Sequence, residues 1–188
     1  MKIYENVLPA EVLLECQTEL RFLHEQRVWQ NSSLVWPKSI QKNVVGVVNQ
    51  TMVGLDLAKK INEVLFENYF SKYQMSMKSI TLKNNVAVPV PQLKITYQHY
   101  IWNKMSGISM HDDTNHLFGA TVYLNETWDV EWGGVFLWKD KKDTLKALCP
   151  KLNTMVVNDE QENHMVTEIS PYAPEERISI QIWGDGVD

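Results

Sequence analysis

Near its C-terminus the chain carries the alternating sequence RISIQIW over residues 177–183. Because successive side chains of a β-strand point to opposite faces, this segment predicts a strand with one face made of isoleucine. The other face carries the guanidinium of Arg177, the hydroxyl of Ser179 and the carboxamide of Gln181. That polar face points either into water, as in many half-buried strands, or into the mouth of a small barrel, where ligands bind.

Further short segments with strand character fill the chain from about residue 75 onward, separated by turn-forming residues. Their number and spacing favour an all-β sandwich or barrel. Few segments are long enough to be the crossover helices of a doubly wound parallel sheet. The strands predicted besides 177–183 are Met77–Leu82, Gln92–Tyr100, Gly107–His111, Leu117–Leu124, Gly134–Lys139, Thr154–Asn158 and Met165–Ile169.

The first 75 residues are predicted to be helical, apart from an irregular stretch over 28–46. Asn49 or Thr51 is the candidate N-cap of the second helix. The predicted fold class is therefore mainly β with N-terminal helices (α+β), as one domain over 1–188. Residues 1–75 would form a helical support and residues 76–188 the barrel core. The apolar residues that recur at helical spacing are Leu13, Cys16, Leu20 and Leu23, then Leu57, Ile61, Val64, Leu65 and Tyr69.

Composition excludes several classes of protein. Hydrophobic residues make up 44% of the 188 residues and charged residues 22%, which is ordinary globular usage and excludes a disordered chain. The net charge of −5 argues against a nucleic-acid partner. We also expect no membrane span, since no apolar run approaches the required ~20 residues, and no signal peptide. Cys16 and Cys149 lie far apart and predict free thiols in a reducing, cytoplasmic location.

One stretch, His111-Asp112-Asp113, combines histidine with carboxylates at the spacing of metal ligands. In an extended segment His111 and Asp113 point to the same side, so they can share one metal. A second histidine would complete the two-histidine, one-carboxylate face that leaves open positions on Fe(II). Apart from the nearby His116, the only histidine downstream is His164. Each motif alone is more often a solvated or core feature, and it is their order within one predicted barrel that favours a metal site.

Arg177 follows His164 within the same predicted barrel. A dicarboxylate co-substrate that chelated the metal through a 2-oxo acid end would bury its far carboxylate, which then needs a charged partner and hydrogen bonds. The planar fork of an arginine matches a carboxylate. Ser179 or a tyrosine hydroxyl could add a further hydrogen bond.

Taken together, these residues resemble the 2-oxoglutarate- and Fe(II)-dependent dioxygenases, and most of all the prolyl hydroxylase group. The resemblance implies a double-stranded β-helix, a jelly-roll and cupin-like barrel, behind N-terminal helices. It also implies Fe(II), 2-oxoglutarate and O2 as cofactors and co-substrates, with ascorbate as a candidate accessory reductant. The resemblance spans roughly residues 95–185 and rests on the ordered blocks 111–113, 121–128, 133–136, 163–164 and 177–183.

Carried over by position, the resemblance implies that His111, Asp113 and His164 are the iron ligands. Arg177 then binds the distal carboxylate of 2-oxoglutarate. Tyr123 matches the tyrosine whose hydroxyl assists this arginine in the oxygen-sensing members, although a barrel-wall aromatic is an equally good interpretation.

Three further aromatic residues are candidates near the site. Tyr100 lies close to the position of the family's other site tyrosine, and Tyr97 is its rival. Trp102, between Tyr100 and His111, is the candidate for an aromatic residue that faces substrate. With Ser179 and Tyr123, Tyr100 completes the residues expected to bind 2-oxoglutarate.

The implied reaction is hydroxylation of a C–H bond, with conversion of 2-oxoglutarate and O2 to succinate and CO2. A prolyl residue in a peptide or protein is the expected substrate, and a free amino acid or another small molecule is the alternative. The Val/Pro-rich segment 84–91 is either a loop over the site or an extended connector. Five lysines over 139–151 could meet an acidic substrate, although a solvated charge run is more usual.

The chain departs from the group in two places. Arg177 stands where collagen-type members carry lysine, which favours the oxygen-sensing branch. The segment between His164 and Arg177 is longer than usual and contains Pro171 and Pro174. Two functions of other classes stay open from the residues alone. They are a zinc hydrolase that uses the same His and Asp residues, and a non-catalytic cupin-like binding barrel. The sequence indicates no oligomeric state.

Overall fold

The computed structural model describes residues 1–31, 41–74 and 92–187. The predicted strand Met77–Leu82, the segment 84–91 and the predicted boundary at 75–76 lie outside these residues. The described strands are β1 (Lys2–Glu5), β2 (Gln30–Asn31), β3 (Val44–Val45), β4 (Val48–Met52), β5 (Gln92–Trp102), β6 (Gly107–His111), β7 (Phe118–Tyr123), β8 (Phe136–Lys139), β9 (Leu145–Leu148), β10 (Thr154–Asn158), β11 (His164–Val166) and β12 (Arg177–Val187).

Two α-helices stand in the N-terminal part, α1 (Ala10–Glu25) and α2 (Leu55–Leu65), and a π-helical turn over Phe66–Phe70 continues the second. Both predicted apolar stripes are therefore helical. The predicted N-cap of α2 is wrong, because Asn49 and Thr51 lie in β4, which pairs with β5. Gly54 caps α2 instead, and it offers no side chain for the exposed backbone N–H groups.

The strands form two antiparallel sheets. The larger sheet has seven strands in the order β1-β10-β7-β12-β5-β4-β2, and the smaller has five in the order β3-β6-β11-β8-β9. The chain is thus mainly β with helices in its N-terminal part, as predicted. None of the described helices is long and apolar enough to cross a membrane.

Several strands match their predicted bounds closely, and β6 and β10 match them at both ends. The last strand continues beyond Trp183 to Val187, because β5 offers an equally long partner across the whole segment. Five short strands were not predicted, and they lie outside the long central pairings. Among them β9 lies within the lysine-rich segment and pairs with β8. Several of those lysines pair with nearby carboxylates, Lys139 with Asp143 and Lys141 with Glu160 among them, which supports the interpretation as a solvated charge run.

The larger sheet separates two apolar clusters. Ile180 and Ile182 on one face of β12 join the cluster that the helices cover, with Cys16 and Leu20 of α1 and Ile61 of α2. The opposite face of the sheet lines the space between the two sheets. The second cluster, which fills part of that space, comprises Val48, Tyr100, Trp102, Ile108, Tyr123, Phe136, Trp138, Val156, Val166, Ile169 and Ala173.

Candidate active site

The three predicted metal ligands meet between the two sheets. His111 ends β6 and His164 begins β11, and the two histidines lie opposite each other in the pairing of these strands. One ligand atom from each of His111, Asp113 and His164 lies within 4.8 Å of the others. The Nε2 atom of His164 is 3.3 Å from Oδ2 of Asp113, and that of His111 is 3.8 Å from Oδ1.

Backbone carbonyl groups orient both imidazole rings. Nδ1 of His111 lies 2.8 Å from the carbonyl oxygen of Ser109, and Nδ1 of His164 lies 3.0 Å from that of Glu162. A carbonyl oxygen only accepts, so each Nδ1 carries the hydrogen and each Nε2 keeps its lone pair toward Asp113. The side chain of Asn158 makes two hydrogen bonds to the Glu162 backbone. Its amide N–H donates to the carbonyl oxygen of Glu162, and its Oδ1 accepts from the backbone N–H of Glu162. The site therefore presents two neutral nitrogens and a carboxylate to one point.

The electrostatics favour the metal-binding protonation states. Burial lowers the pKa of His111, and the neighbouring His164 lowers it further. Burial by itself would raise the pKa of Asp113, but the neighbouring imidazoles of His164, His111 and His116 hold that pKa below its usual value. A neutral imidazole and an ionised carboxylate are the forms that bind a divalent cation.

These residues line a cavity of about 280 Å³ that also contains Arg177. The side chain of Arg177 is 1% exposed. Its Cζ lies 5.0 Å from the ring centre of Tyr123 and 5.4 Å from that of Trp102. Burial lowers the pKa of Arg177, against the opposing influence of Tyr123. No carboxylate among the described residues lies within ion-pair distance of this guanidinium.

Three buried polar atoms at or beside Arg177 have no hydrogen-bond partner among the residues that the structure describes. They are its own Nε, the hydroxyl oxygen of Tyr123 and Oγ of Ser179. Ser179 pairs with Tyr123 of β7 and stands two residues after Arg177 on the same face of β12, so the three groups lie on one stretch of the sheet. Leaving such groups unpaired costs about 1–3 kcal/mol each. An arginine cation beside two hydroxyl donors can pair with a buried carboxylate. These residues therefore fit the distal carboxylate of a dicarboxylate ligand.

The structure separates the two rival tyrosines. Tyr100 lines the cavity, whereas Tyr97 points to the helix side and donates a hydrogen bond to Oδ1 of Asn62 over 2.9 Å. Trp102 also lines the cavity, beside the guanidinium of Arg177. It therefore lies at the end of the site where the co-substrate is expected.

Several residues that line the cavity were not predicted as site residues. Sequence reasoning could have found Gln98, Gln181 and Trp183. Each lies an even number of residues along a strand from a predicted site residue, and so on the same face of that strand. It had no signal for His116, which lies in the loop after Asp113 and reaches the cavity through tertiary packing alone. The other polar ones are Gln50, Asn115, Thr121 and Asn158.

Comparisons with known proteins agree with this geometry. The model of the 2OG-Fe(II) oxygenase superfamily matches residues 95–184, a segment that contains all three metal-ligand candidates and Arg177. Proteins of this superfamily use Fe(II), 2-oxoglutarate and O2. A search of the curated proteins finds no match to the chain.

Solved structures share the fold at low sequence identity. A Pseudomonas putida prolyl-4-hydroxylase aligns with a TM-score of 0.65 and 17% identity, over 98% of this chain and 91% of its own. A Trichoplax adhaerens prolyl hydroxylase, solved with a hypoxia-inducible-factor peptide, aligns with a TM-score of 0.67 and 17% identity, over 98% and 82%. The epimerase SnoN of nogalamycin biosynthesis aligns with a TM-score of 0.65 and 13% identity, over 97% and 76%. The predicted double-stranded β-helix is thereby confirmed.

Proposed function

We propose that this chain is an oxygenase of the 2OG-Fe(II) superfamily, whose model matches residues 95–184, and that it hydroxylates a C–H bond of a prolyl residue in a peptide or protein. The observation that supports the proposal is the convergence of His111, Asp113 and His164 in the cavity that also holds the buried Arg177, which has no carboxylate partner among the described residues. The prolyl substrate is inferred from the similarity of the fold to prolyl hydroxylases. The similar fold of SnoN, an epimerase, makes a direct test of substrate necessary.

His111, Asp113 and His164 would hold Fe(II), with Ser109, Glu162 and Asn158 orienting the two imidazoles. When bound, the iron and 2-oxoglutarate supply the oxidising chemistry that turns C–H into C–OH, as 2-oxoglutarate and O2 become succinate and CO2.

Arg177 binds the distal carboxylate of 2-oxoglutarate through its planar fork. The hydroxyls of Tyr123 and Ser179 donate further hydrogen bonds to that carboxylate. Burial raises the pKa of Tyr123, so its hydroxyl keeps the proton that it donates. The apolar side chains of Ile108, Phe136 and Val156 line the same cavity and exclude water from it.

The first test is anaerobic addition of Fe(II) and 2-oxoglutarate to the purified protein. We expect a visible charge-transfer band in the wild type and its loss in His111→Ala. His24→Ala, an exposed histidine on α1, is the matched control and should keep the band. A folded wild-type protein without the band would argue strongly against the proposal, and turnover that survives His111→Ala would refute the ligand assignment.

Substrate is tested by succinate formation over proline-containing peptides and free amino acids. We expect proline-containing peptides to stimulate succinate formation, with hydroxyproline in the product. Stimulation by a free amino acid alone would replace the prolyl assignment by the small-molecule alternative while leaving the oxygenase assignment intact.

A further inference from the structure

A short loop joins the metal site to the rim of the cavity. His116 donates its backbone N–H to the carbonyl of Asp113 over 3.0 Å, and Leu117 donates to the carbonyl of Gly184 in β12 over 2.8 Å. The loop is therefore tied at one end to a candidate metal ligand and at the other to the larger sheet. This arrangement holds His116 close to Asp113.

The imidazole of His116 is held on one face and one edge. Its ring stacks on Trp183, with the ring centres 4.3 Å apart and an angle of 26° between the planes. Its Nδ1 lies 2.6 Å from Oδ1 of Asp185. The side chains of His116 and Asp185 are about a third exposed, at 30% and 32%, which places this pair at the cavity mouth.

The carboxylate of Asp185 decides which ring nitrogen is free. A carboxylate only accepts hydrogen bonds, so Nδ1 of His116 carries the hydrogen, and Nε2 of the neutral ring keeps a lone pair. Among the residues that the structure describes, none pairs with this Nε2. The ring lines the cavity, so it offers an acceptor to whatever enters.

Gly119 shows how near this group is to the metal site. A Cβ atom built on Gly119 would lie 2.9 Å from Cζ3 of Trp183 and 3.3 Å from Oδ2 of Asp113. The indole under His116 and the carboxylate of the metal site therefore converge on the same point. A substrate group that packs on Trp183 lies beside the metal site.

Three amide oxygens in the cavity lining already accept hydrogen bonds within the protein. Oε1 of Gln181 accepts from Thr121 over 2.7 Å, and Oδ1 of Asn158 accepts from the backbone of Glu162 over 3.0 Å. Oε1 of Gln98 accepts from Tyr100 over 3.5 Å. The Nε2 of His116, by contrast, is an acceptor that substrate can reach in the cavity.

We propose that His116 is a specificity-determining residue, whose Nε2 accepts a hydrogen bond from an N–H or O–H group of the substrate while Trp183 packs against that group. The assignment rests on the proposed function. It narrows the substrate class to molecules that carry a hydrogen-bond donor a few bonds from the hydroxylated carbon. For a prolyl peptide this donor is the N–H of the residue that follows proline, since proline has none in a peptide bond.

The tautomer is tested without turnover. Nitrogen-15 spectra of histidine-labelled full-length protein report which ring nitrogen carries the hydrogen, and His116→Gln identifies the signal. We expect His116 to carry it on Nδ1 in the wild type and to shift toward the Nε2–H form in Asp185→Ala. A wild-type ring with hydrogen on Nε2 would overturn the assignment.

Selectivity is tested with two capped peptides, acetyl-Ala-Pro-Gly-methylamide and the same peptide with N-methylglycine in place of glycine. We expect the wild type to prefer the first by about tenfold in kcat/KM, the worth of one hydrogen bond in a site built for it. His116→Phe keeps a ring on Trp183 but loses the acceptor, so it should abolish the preference and keep the charge-transfer band.

The two proposals fail in different ways. A wild-type protein without the charge-transfer band would overturn the proposed function. A wild type with the band that turns over both peptides equally, or neither of them, would overturn the role of His116. A preference that persists in His116→Phe would also overturn it.

Discussion

The two faces of β12 are buried to similar depth but have opposite chemistry. On the helix side, Ile180 and Ile182 are fully buried and pack with the side chains of α1 and α2. On the cavity side, Arg177 and Ser179 are 1% exposed and carry polar atoms with no hydrogen-bond partner. One strand thus contributes both to the apolar core and to the candidate active site.

The difference shows which face stabilises the fold and which is shaped for a ligand. Burying apolar area lowers the free energy of the folded chain by roughly 25 cal/mol per Å². Burying an unpaired cation or hydroxyl raises it. The helix face should therefore govern stability and the cavity face should govern ligand affinity, so substitutions on the two faces are expected to separate these quantities.

The largest effect is expected from Arg177→Met. Removing the guanidinium takes away the charged partner of the distal carboxylate, so the affinity for 2-oxoglutarate should fall by about 100-fold or more. The free energy of unfolding should stay the same or rise, because a buried unpaired cation is replaced by an apolar side chain. Titration of the charge-transfer band and urea unfolding measure the two quantities. Undiminished 2-oxoglutarate binding in this variant would remove Arg177 from the site.

Ile180→Ala should show the reverse pattern. Truncating this fully buried side chain leaves a cavity against the helices and should lower the free energy of unfolding by about 2–4 kcal/mol in urea denaturation. The charge-transfer band of the folded variant should be unchanged. Ile3→Ala is the matched control, since Ile3 is 43% exposed and its truncation should change the free energy of unfolding by less than about 0.5 kcal/mol. A loss of 2-oxoglutarate affinity in Ile180→Ala would show that the two faces are coupled.

Tyr123→Phe and Tyr97→Phe form a matched pair across the larger sheet. The hydroxyl of Tyr123 has no partner within the described protein, so its loss should leave stability unchanged but weaken 2-oxoglutarate binding about fivefold. The hydroxyl of Tyr97 bonds to Asn62 on the helix side, so its loss should cost about 1 kcal/mol of stability and leave binding intact. If both variants changed stability equally, or changed 2-oxoglutarate affinity equally, the helix and cavity faces of the larger sheet would not have the separate roles that we expect.

The smallest effect concerns a partly buried carboxylate on the helix side. Glu19 accepts hydrogen bonds from Nε2 of His99 over 2.9 Å and from the backbone of Gly54 over 2.8 Å. The bond from His99 is the main cause that lowers the pKa of Glu19 below its ordinary 4.5. Because the pKa of Glu19 is lower in the folded than in the unfolded chain, its ionised carboxylate stabilises the fold at pH values above the unfolded pKa. This stabilisation is lost as the pH falls through the folded pKa.

Glu19→Gln should therefore cost about 0.5–1 kcal/mol at neutral pH and nothing once Glu19 is protonated in the wild type. Urea unfolding of both proteins between pH 7 and pH 3 measures the difference. A difference that stays constant with pH would mean that the charge of Glu19 does not contribute.

Local patterns predicted most of the long strands and pointed to His111 and Asp113 as candidate metal ligands. The alternation in β12 and the spacing of His111 and Asp113 depend only on the two-residue period of a strand, which no tertiary contact alters. The N-cap of α2 failed because Asn49 and Thr51 are good capping residues whose backbone is recruited into β4 by a distant strand. Propensity is a local preference, and sheet pairing overrides it.

The sequence by itself determined the mainly β class and the two apolar helix stripes, and it pointed to the His, Asp and Arg residues of the candidate site, because these follow from periodicity and residue chemistry. Only the tertiary structure decided which tyrosine faces the cavity, that Ser179 and Tyr123 lie together beside Arg177, and that Asp185 and Trp183 hold His116 at the mouth. These contacts join residues far apart in the chain. Their geometry depends on how the strands pair and how the sheets face each other, which no local pattern encodes.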